Sequence, residues 1–193
     1  MDRRSLLQRA AGGLFIAACG SGGSAKTASA SPTTTAGGTK TNNPTPTPSG
    51  SAKPATKATV ELAKGGSFSV ALRPDKAPAT VERFAGKARS GFYNNLSFHR
   101  VEDWVVQGGD PSGNGTGGEK VPSEYNDLLF KLGALGIARG QDPAINNGSQ
   151  FFVVLKDSTF LDKQYTNFGQ VTSGMDVVTG IKIGDKIKSI TVE

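Results

Sequence analysis

The chain has 193 residues, enough for one domain or for one domain with a tail, and its composition is that of a globular protein except for 26 glycines, many of them early. Its formal charge of +6 is unevenly placed: up to Thr59 seven Lys and Arg face one acid, whereas from there to Glu193 fifteen face fifteen. A folded module without excess positive charge is not expected to bind nucleic acid. A single cysteine, Cys19, excludes an internal disulfide, and with a single histidine, His99, no Cys/His zinc site of the usual kind can be assembled. No G-x-S-x-G elbow accompanies His99 as a serine hydrolase would require, and no metal or cofactor is expected.

In chain order, the first element is an address. Arg3, Arg4 and Arg9 form a positive region, and Ala10 to Ala18 form an apolar stretch too short to span a membrane but of signal-peptide length. Ile16-Ala17-Ala18-Cys19 resembles the bacterial lipobox, in which the cysteine thiol is lipidated, and Arg3-Arg4 with Ser5-Leu6-Leu7 resembles a twin-arginine export signal. Residues 1–18 are therefore expected to be a signal peptide. Cys19 would be the lipid attachment point to a membrane, and the bacterial cell envelope, at the outer face of the cell membrane, the location. From Gly20 to about Lys57 no aromatic or large aliphatic residue occurs, so residues 19–57 are expected to be a lipidated cysteine and a disordered Gly/Ser/Thr/Pro linker. Its root-mean-square span would be roughly 35 Å.

The domain is expected over 58–193. Val60 and Leu62, then Phe68, Val70 and Leu72, alternate as half-buried strands do, with a turn at Lys64-Gly65-Gly66. Thr80 is a plausible helix N-cap, and Val81, Phe84, Ala85 and Ala88 recur at helical spacing until Gly91. Strands are expected near 97–102, 104–107, 136–138, 150–155, 167–171 and 188–192, with a second short helix near 175–181. Many short strands, two helices and Gly-rich turns predict a closed antiparallel barrel capped by the helices.

Polar residues inside strand signals mark the chemistry. Strict alternation places Phe98 and Arg100 on one face, and pairs Val105 with Gln107 and Gln150 with Phe152. An Arg, two Gln and several aromatics converging on one sheet face make an apolar trough with a few fixed donors, suited to a peptide. His99 reads as a structural histidine. Arg100 could instead cap a sheet through a surface ion pair, for instance with Glu102. Gly113-x-Gly115-x-x-Gly118 matches a dinucleotide fingerprint in form only, because no helical pattern follows it.

The ordered set Phe98-His99-Arg100, Gln107-Gly108-Gly109-Asp110, Asn114–Gly118 (NGTGG), Asn147–Phe152 (NGSQFF), Phe160-Leu161-Asp162 and Phe168–Val171 resembles the cyclophilins across essentially all of 58–193. The resemblance implies a mainly β fold, a closed eight-stranded antiparallel barrel capped by two α-helices. It also implies peptidyl-prolyl cis/trans isomerase activity on proline-containing polypeptides, here exported proteins, by a domain expected to be monomeric. By position it implies a catalytic Arg100, with Gln107 and Gln150 beside it. Trp104, Val105, Phe152 and Leu161 would form the proline pocket, Ala138 and Arg139 a stretch whose backbone bonds the substrate, and Phe160 and Tyr165 the rim.

The residue types fit that chemistry. Rotation about X–Pro breaks amide resonance, with a barrier of about 18–20 kcal/mol, and needs no nucleophile, base or metal. A guanidinium, always charged and rigidly forked, can favour the twisted amide over the planar ones. Against the family pattern, the Arg100–Gln107 segment is one residue shorter, with Glu102-Asp103 where Pro-Gly is usual and Trp104 in place of a Phe. Arg139 replaces an Asn, and Gln141–Ile145 adds about two residues. The altered segment leaves a second reading open, a non-catalytic module that binds proline peptides as a chaperone or scaffold.

Overall fold

The computed structural model describes residues 53–193. The expected signal peptide, the lipidation site Cys19 and most of the linker lie outside the described residues. Packed chain begins slightly before Ala58: Ala55 is buried, and the Thr56 N–H donates to Glu193 O at 2.7 Å.

Nine strands and two helices follow in order. These are β1 (Lys57–Leu62), β2 (Ser67–Leu72), α1 (Pro78–Arg89), β3 (Phe98–Val101), β4 (Val105–Gly108), β5 (Lys120–Pro122), β6 (Ala134–Arg139), β7 (Ile145–Val154), β8 (Asn167–Ser173), α2 (Met175–Thr179) and β9 (Ile187–Val192). All pairings are antiparallel, in the order β3-β4-β7-β6-β8-β2-β1-β9, with β5 added to β7.

Two expectations are corrected here. The sheet has nine strands rather than eight, because Lys120-Val121-Pro122 is too short and too polar to signal a strand, yet pairs with Ile145–Asn147. The barrel is also not closed. β3 and β9 end the order with no ladder between them, the chain beside them meeting at one isolated bridge, Ser97 to Lys186, with a few flanking backbone hydrogen bonds, so the sheet is a curled half-barrel.

The sheet buries both of its faces where β4, β6 and β7 meet. Val106, Leu135, Ile137, Phe151 and Val153 belong to the main core, with Phe68, Phe84, Tyr93, Phe98 and Phe168. Their neighbours Val105, Ala134, Ala138, Phe152 and Val154 form a second cluster with Phe130 and Leu161. Period-2 alternation in a strand thus sends successive apolar residues to two cores, and the sequence reads as an unbroken apolar run. Helix α1 supplies Phe84, whose ring lies 5.4 Å from Phe168 and 5.7 Å from Phe151.

The start of α1 differs from expectation. Pro78 occupies the first turn, which suits its fixed φ and missing N–H. Thr80 lies inside the helix and Ala77 is the cap position, with no side-chain cap bond of its own. Glu124 caps the helix from 44 residues away, accepting from Ala79 N at 3.0 Å and from Thr80 N and Thr80 Oγ1 at 2.6 Å. A carboxylate there satisfies orphan donors and faces the positive end of the helix dipole.

The glycine-rich loop after β4 is folded around Asp110, which is almost fully buried. Asp110 accepts from Ser112 N at 3.0 Å, Asn114 N at 2.8 Å and Gly115 N at 2.5 Å. Burial pushes this carboxyl up, but the three backbone N–H donors, helped by His99, outweigh it and hold it below 3.8. A Cβ at Gly117 would run into Asp110 Oδ1 and Ser112 Oγ, so the loop closes only on glycine.

Glu124→Ala is expected to cost about 1–2 kcal/mol, read as a fall of several degrees in thermal midpoint. A larger loss for Thr80→Val than for Glu124→Ala would return the cap to Thr80. Asp110, with its folded pKa below the unfolded one, contributes stability that is fully present above pH 3.8 and is lost as pH falls through the folded value. Asp110→Asn turns an amide toward N–H donors. It is expected to destabilise by about 1–3 kcal/mol at neutral pH and to flatten acid unfolding below pH 4, both followed by circular dichroism.

Candidate active site

The site lies on the second core's side of the sheet. Register puts Arg100 opposite Gln107, Gln107 opposite Phe152, and Phe152 opposite Gly136, one row across β3, β4, β7 and β6. Gly136 is required beneath this row, since a Cβ there would penetrate the Phe152 and Phe130 rings. Those rings stack at 5.7 Å and 19°, and Tyr165 meets Phe152 edge-on at 5.7 Å.

The expected sharing of a face by Phe98 and Arg100 is overturned. The β3–β4 register shifts between them, leaving His99 as the extra residue of a β-bulge. Phe98 therefore enters the main core, where it meets Phe151 at 6.2 Å, while Arg100 turns to the opposite face beside Val105, Gln107 and Phe152.

A cavity of about 360 Å³ opens at this row. Of the residues singled out by sequence, Arg100, Trp104, Val105, Gln107, Ala138, Arg139, Phe152, Leu161 and Tyr165 line it. Two do not. Gln150 is 1% exposed and borders an adjoining cavity of about 330 Å³ that shares Gln107, Ala138 and Arg139. Phe160 is 65% exposed and stands outside, its ring edge-on to Trp104 at 5.2 Å.

A relay of hydrogen bonds fixes the polar wall. Arg100 Nη1 donates to Gln107 Oε1 at 3.4 Å, Gln107 Nε2 to Gln150 Oε1 at 2.9 Å, and Gln150 Nε2 to Gly117 O at 2.8 Å. The relay joins the guanidinium to the glycine-rich loop. Arg139 is held at the far side, donating from Nε to Gln164 O at 2.8 Å with its guanidinium 4.5 Å from the Tyr165 ring centroid. The ion pair of Arg100 with Glu102 does form, at 2.8 Å, but Arg100 also lines the cavity, so the two roles coexist.

Sequence reasoning missed three lining residues: His99, Asn114 and Gly115. His99 was read as structural. Its two ring nitrogens are buried and have no partner among the described residues. Burial, opposed by Asp110 and seconded by Arg100, pushes its pKa down from the usual histidine value. The bulge at His99 was the missing signal. Asn114 and Gly115 belong to the NGTGG loop, whose return to the sheet depends on Asp110.

The site thus offers an apolar floor, a positioned guanidinium and amide donors, with no nucleophile–base pair. The family described as cyclophilin type peptidyl-prolyl cis-trans isomerase/CLD matches residues 57–192. The peptidyl-prolyl cis-trans isomerase B of Bacillus subtilis is 41% identical over 138 residues, covering 68% of this chain and 94% of that protein. The peptidyl-prolyl cis-trans isomerase-like 1 of Aspergillus niger is 44% identical over 119 residues, 58% of this chain and 74% of that one. A crystal structure of a Cryptosporidium parvum cyclophilin type isomerase, in the presence of the dipeptide Ala-Pro, superposes with a TM-score of 0.65 at 26% identity, covering 71% of this chain and 98% of that one. With the whole half-barrel matched and relatives of this identity named as isomerases, the chain belongs to the cyclophilin-type peptidyl-prolyl cis-trans isomerases.

Proposed function

We propose that this isomerase turns over X–Pro bonds in exported proteins from a lipid anchor on the outer face of a bacterial cell membrane, with Arg100 as its catalytic residue. The observation that carries the catalytic part is the cross-strand row, which sets the Arg100 guanidinium at the edge of an apolar cavity floored by Phe152 and Leu161.

In this reading the proline ring of the substrate rests against Phe152, Leu161, Val105 and Trp104, which exclude water. As the amide twists, its nitrogen loses conjugation and regains a lone pair. A guanidinium N–H beside that nitrogen stabilises the twisted form more than either planar form, which lowers the barrier without shifting the equilibrium. Gln107, itself held by Gln150, steadies the guanidinium and offers its amide to the substrate backbone, as Ala138 and Arg139 would from the opposite wall. Trp104 and Phe160, packed edge-on, extend the apolar surface outward. The Ala-Pro dipeptide used with the Cryptosporidium parvum relative is the minimal form of such a substrate.

The anchoring part rests on sequence: a positive region, an apolar stretch and then the only cysteine of the chain, Cys19. Proline isomerisation takes about 10–100 s uncatalysed, slow enough to limit folding of exported chains, so an isomerase tethered where they emerge would have clients.

Arg100→Ala is expected to lower kcat/KM on a short X–Pro peptide by about a hundred- to a thousandfold, while peptide affinity changes only a few-fold. A folded wild-type domain that binds the peptide without accelerating its interconversion would favour the non-catalytic binding module. For the anchor, the chain expressed in a bacterium should fractionate with membranes and incorporate labelled palmitate. Cys19→Ser should lose both properties, and an unchanged membrane fraction would contradict lipidation.

A further inference from the structure

The departure of this chain from the family pattern falls at the turn between β3 and β4, and the structure gives that turn a use. Glu102 and Val105 face each other across it: Glu102 N donates to Val105 O at 2.8 Å, and Val105 N to Glu102 O at 3.4 Å. Only Asp103 and Trp104 remain as the loop. Both are tied to the end of β7, Trp104 O accepting from Leu155 N at 2.7 Å and Asp103 pairing with Lys156 at 2.6 Å.

The short turn brings one carboxylate between the two side chains that flank the cavity mouth. Glu102 Oε1 accepts from Arg100 Nε at 2.8 Å, and Glu102 Oε2 accepts from Trp104 Nε1 at 2.8 Å. The Arg100 guanidinium carbon then lies 5.3 Å from the Trp104 ring centroid. Of the nitrogens of Arg100, Nε is engaged by Glu102 and Nη1 by Gln107 at a longer 3.4 Å. Among the described residues, Nη2 makes no hydrogen bond.

We infer that Glu102 is a positioning residue: its two carboxylate oxygens lock the Arg100 guanidinium and the Trp104 indole into one unit, turning the free edge of the guanidinium toward the substrate amide. The inference rests on the reading of Arg100 as the catalytic donor. The physical need is plain. Arg100 and Glu102 are 43% and 44% exposed at their side chains, and a long exposed arginine held only by one weak bond to Gln107 would sample several rotamers. A guanidinium edge used in the transition state must be aimed beforehand. An exposed ion pair adds little to global stability, so such a contact affects aim rather than folding. The cation–π approach of Arg100 to Trp104 adds to the same fixation.

The experiment compares the full wild-type chain with Glu102→Ala, Glu102→Gln, Arg100→Ala and the double variant Glu102→Ala/Arg100→Ala. It measures kcat, KM, thermal midpoint and the emission of the single tryptophan, Trp104. Glu102→Ala should lower kcat by about ten- to a hundredfold with KM changed less than threefold, while the midpoint moves by less than about 2 °C. Glu102→Gln, which can accept from only one of the two donors, should fall between wild type and Ala. The double variant should be no slower than Arg100→Ala alone, and Trp104 emission should shift in Glu102→Ala. A wild-type kcat in Glu102→Ala, or a faster Glu102→Gln, overturns the positioning role while leaving Arg100 catalysis standing. Wild-type turnover in Arg100→Ala overturns the underlying reading instead. An unmoved Trp104 spectrum in Glu102→Ala overturns the contact itself, whatever the turnover.

Discussion

The structure depends most on strand β7 being buried on both faces. It pairs with β4, β5 and β6, and its residues Phe151 and Val153 fill one core while Phe152 and Val154 fill the other. A strand so placed cannot slip by one residue without exchanging its two apolar sets, and its polar residues must find partners inside. Gln150 meets that demand by bonding Gln107 and Gly117 O, and Asn147 by bonding Gly117 O and the N–H groups of Ser149 and Gln150. The register that protects the cores therefore also sets the polar wall of the site.

From this constraint the active-site geometry follows in steps. β4 is aligned by β7, which puts Gln107 beside Phe152, and β3 is aligned by β4, which puts Arg100 beside Gln107. The bulge at His99 then turns Arg100 away from the core that takes Phe98. Without that extra residue the guanidinium would face the wrong side of the sheet. The loop after β4 returns to the same wall because Asp110 gathers its backbone donors, and Gly117 offers a carbonyl to Gln150. In the proposed mechanism the guanidinium has only to be aimed at the twisting amide. What the fold supplies is aim and dryness.

Much of this was legible in the sequence, for identifiable reasons. The motif fragments carried Arg100, Gln107 and Phe152, which the structure brings to one cavity. Alternation carried β1 and β2 because each has one face in the core and one less buried. The errors were of a different kind. A bulge has no signature in alternation, so Phe98 and Arg100 were placed together. The polar run Asn146–Ser149 hid the first half of β7, since its side chains are satisfied by residues distant in sequence, such as Thr166 for Asn146. The Glu124 cap of α1 and the tie between Glu102 and Trp104 depend on tertiary placement. The address proposed for residues 1–19 would be a local signal, and it lies outside the described residues.

The most direct measurement is exchange NMR on an X–Pro peptide saturating the enzyme, made with the wild-type chain and with Arg100→Ala. It separates interconversion on the enzyme from binding. The account predicts cis–trans exchange of the bound peptide that is fast in the wild type and lost in the variant, at affinities within a few-fold of each other. Equal exchange rates in the two bound states would contradict it, because the guanidinium would then be a ligand of the peptide and not the group that lowers the barrier.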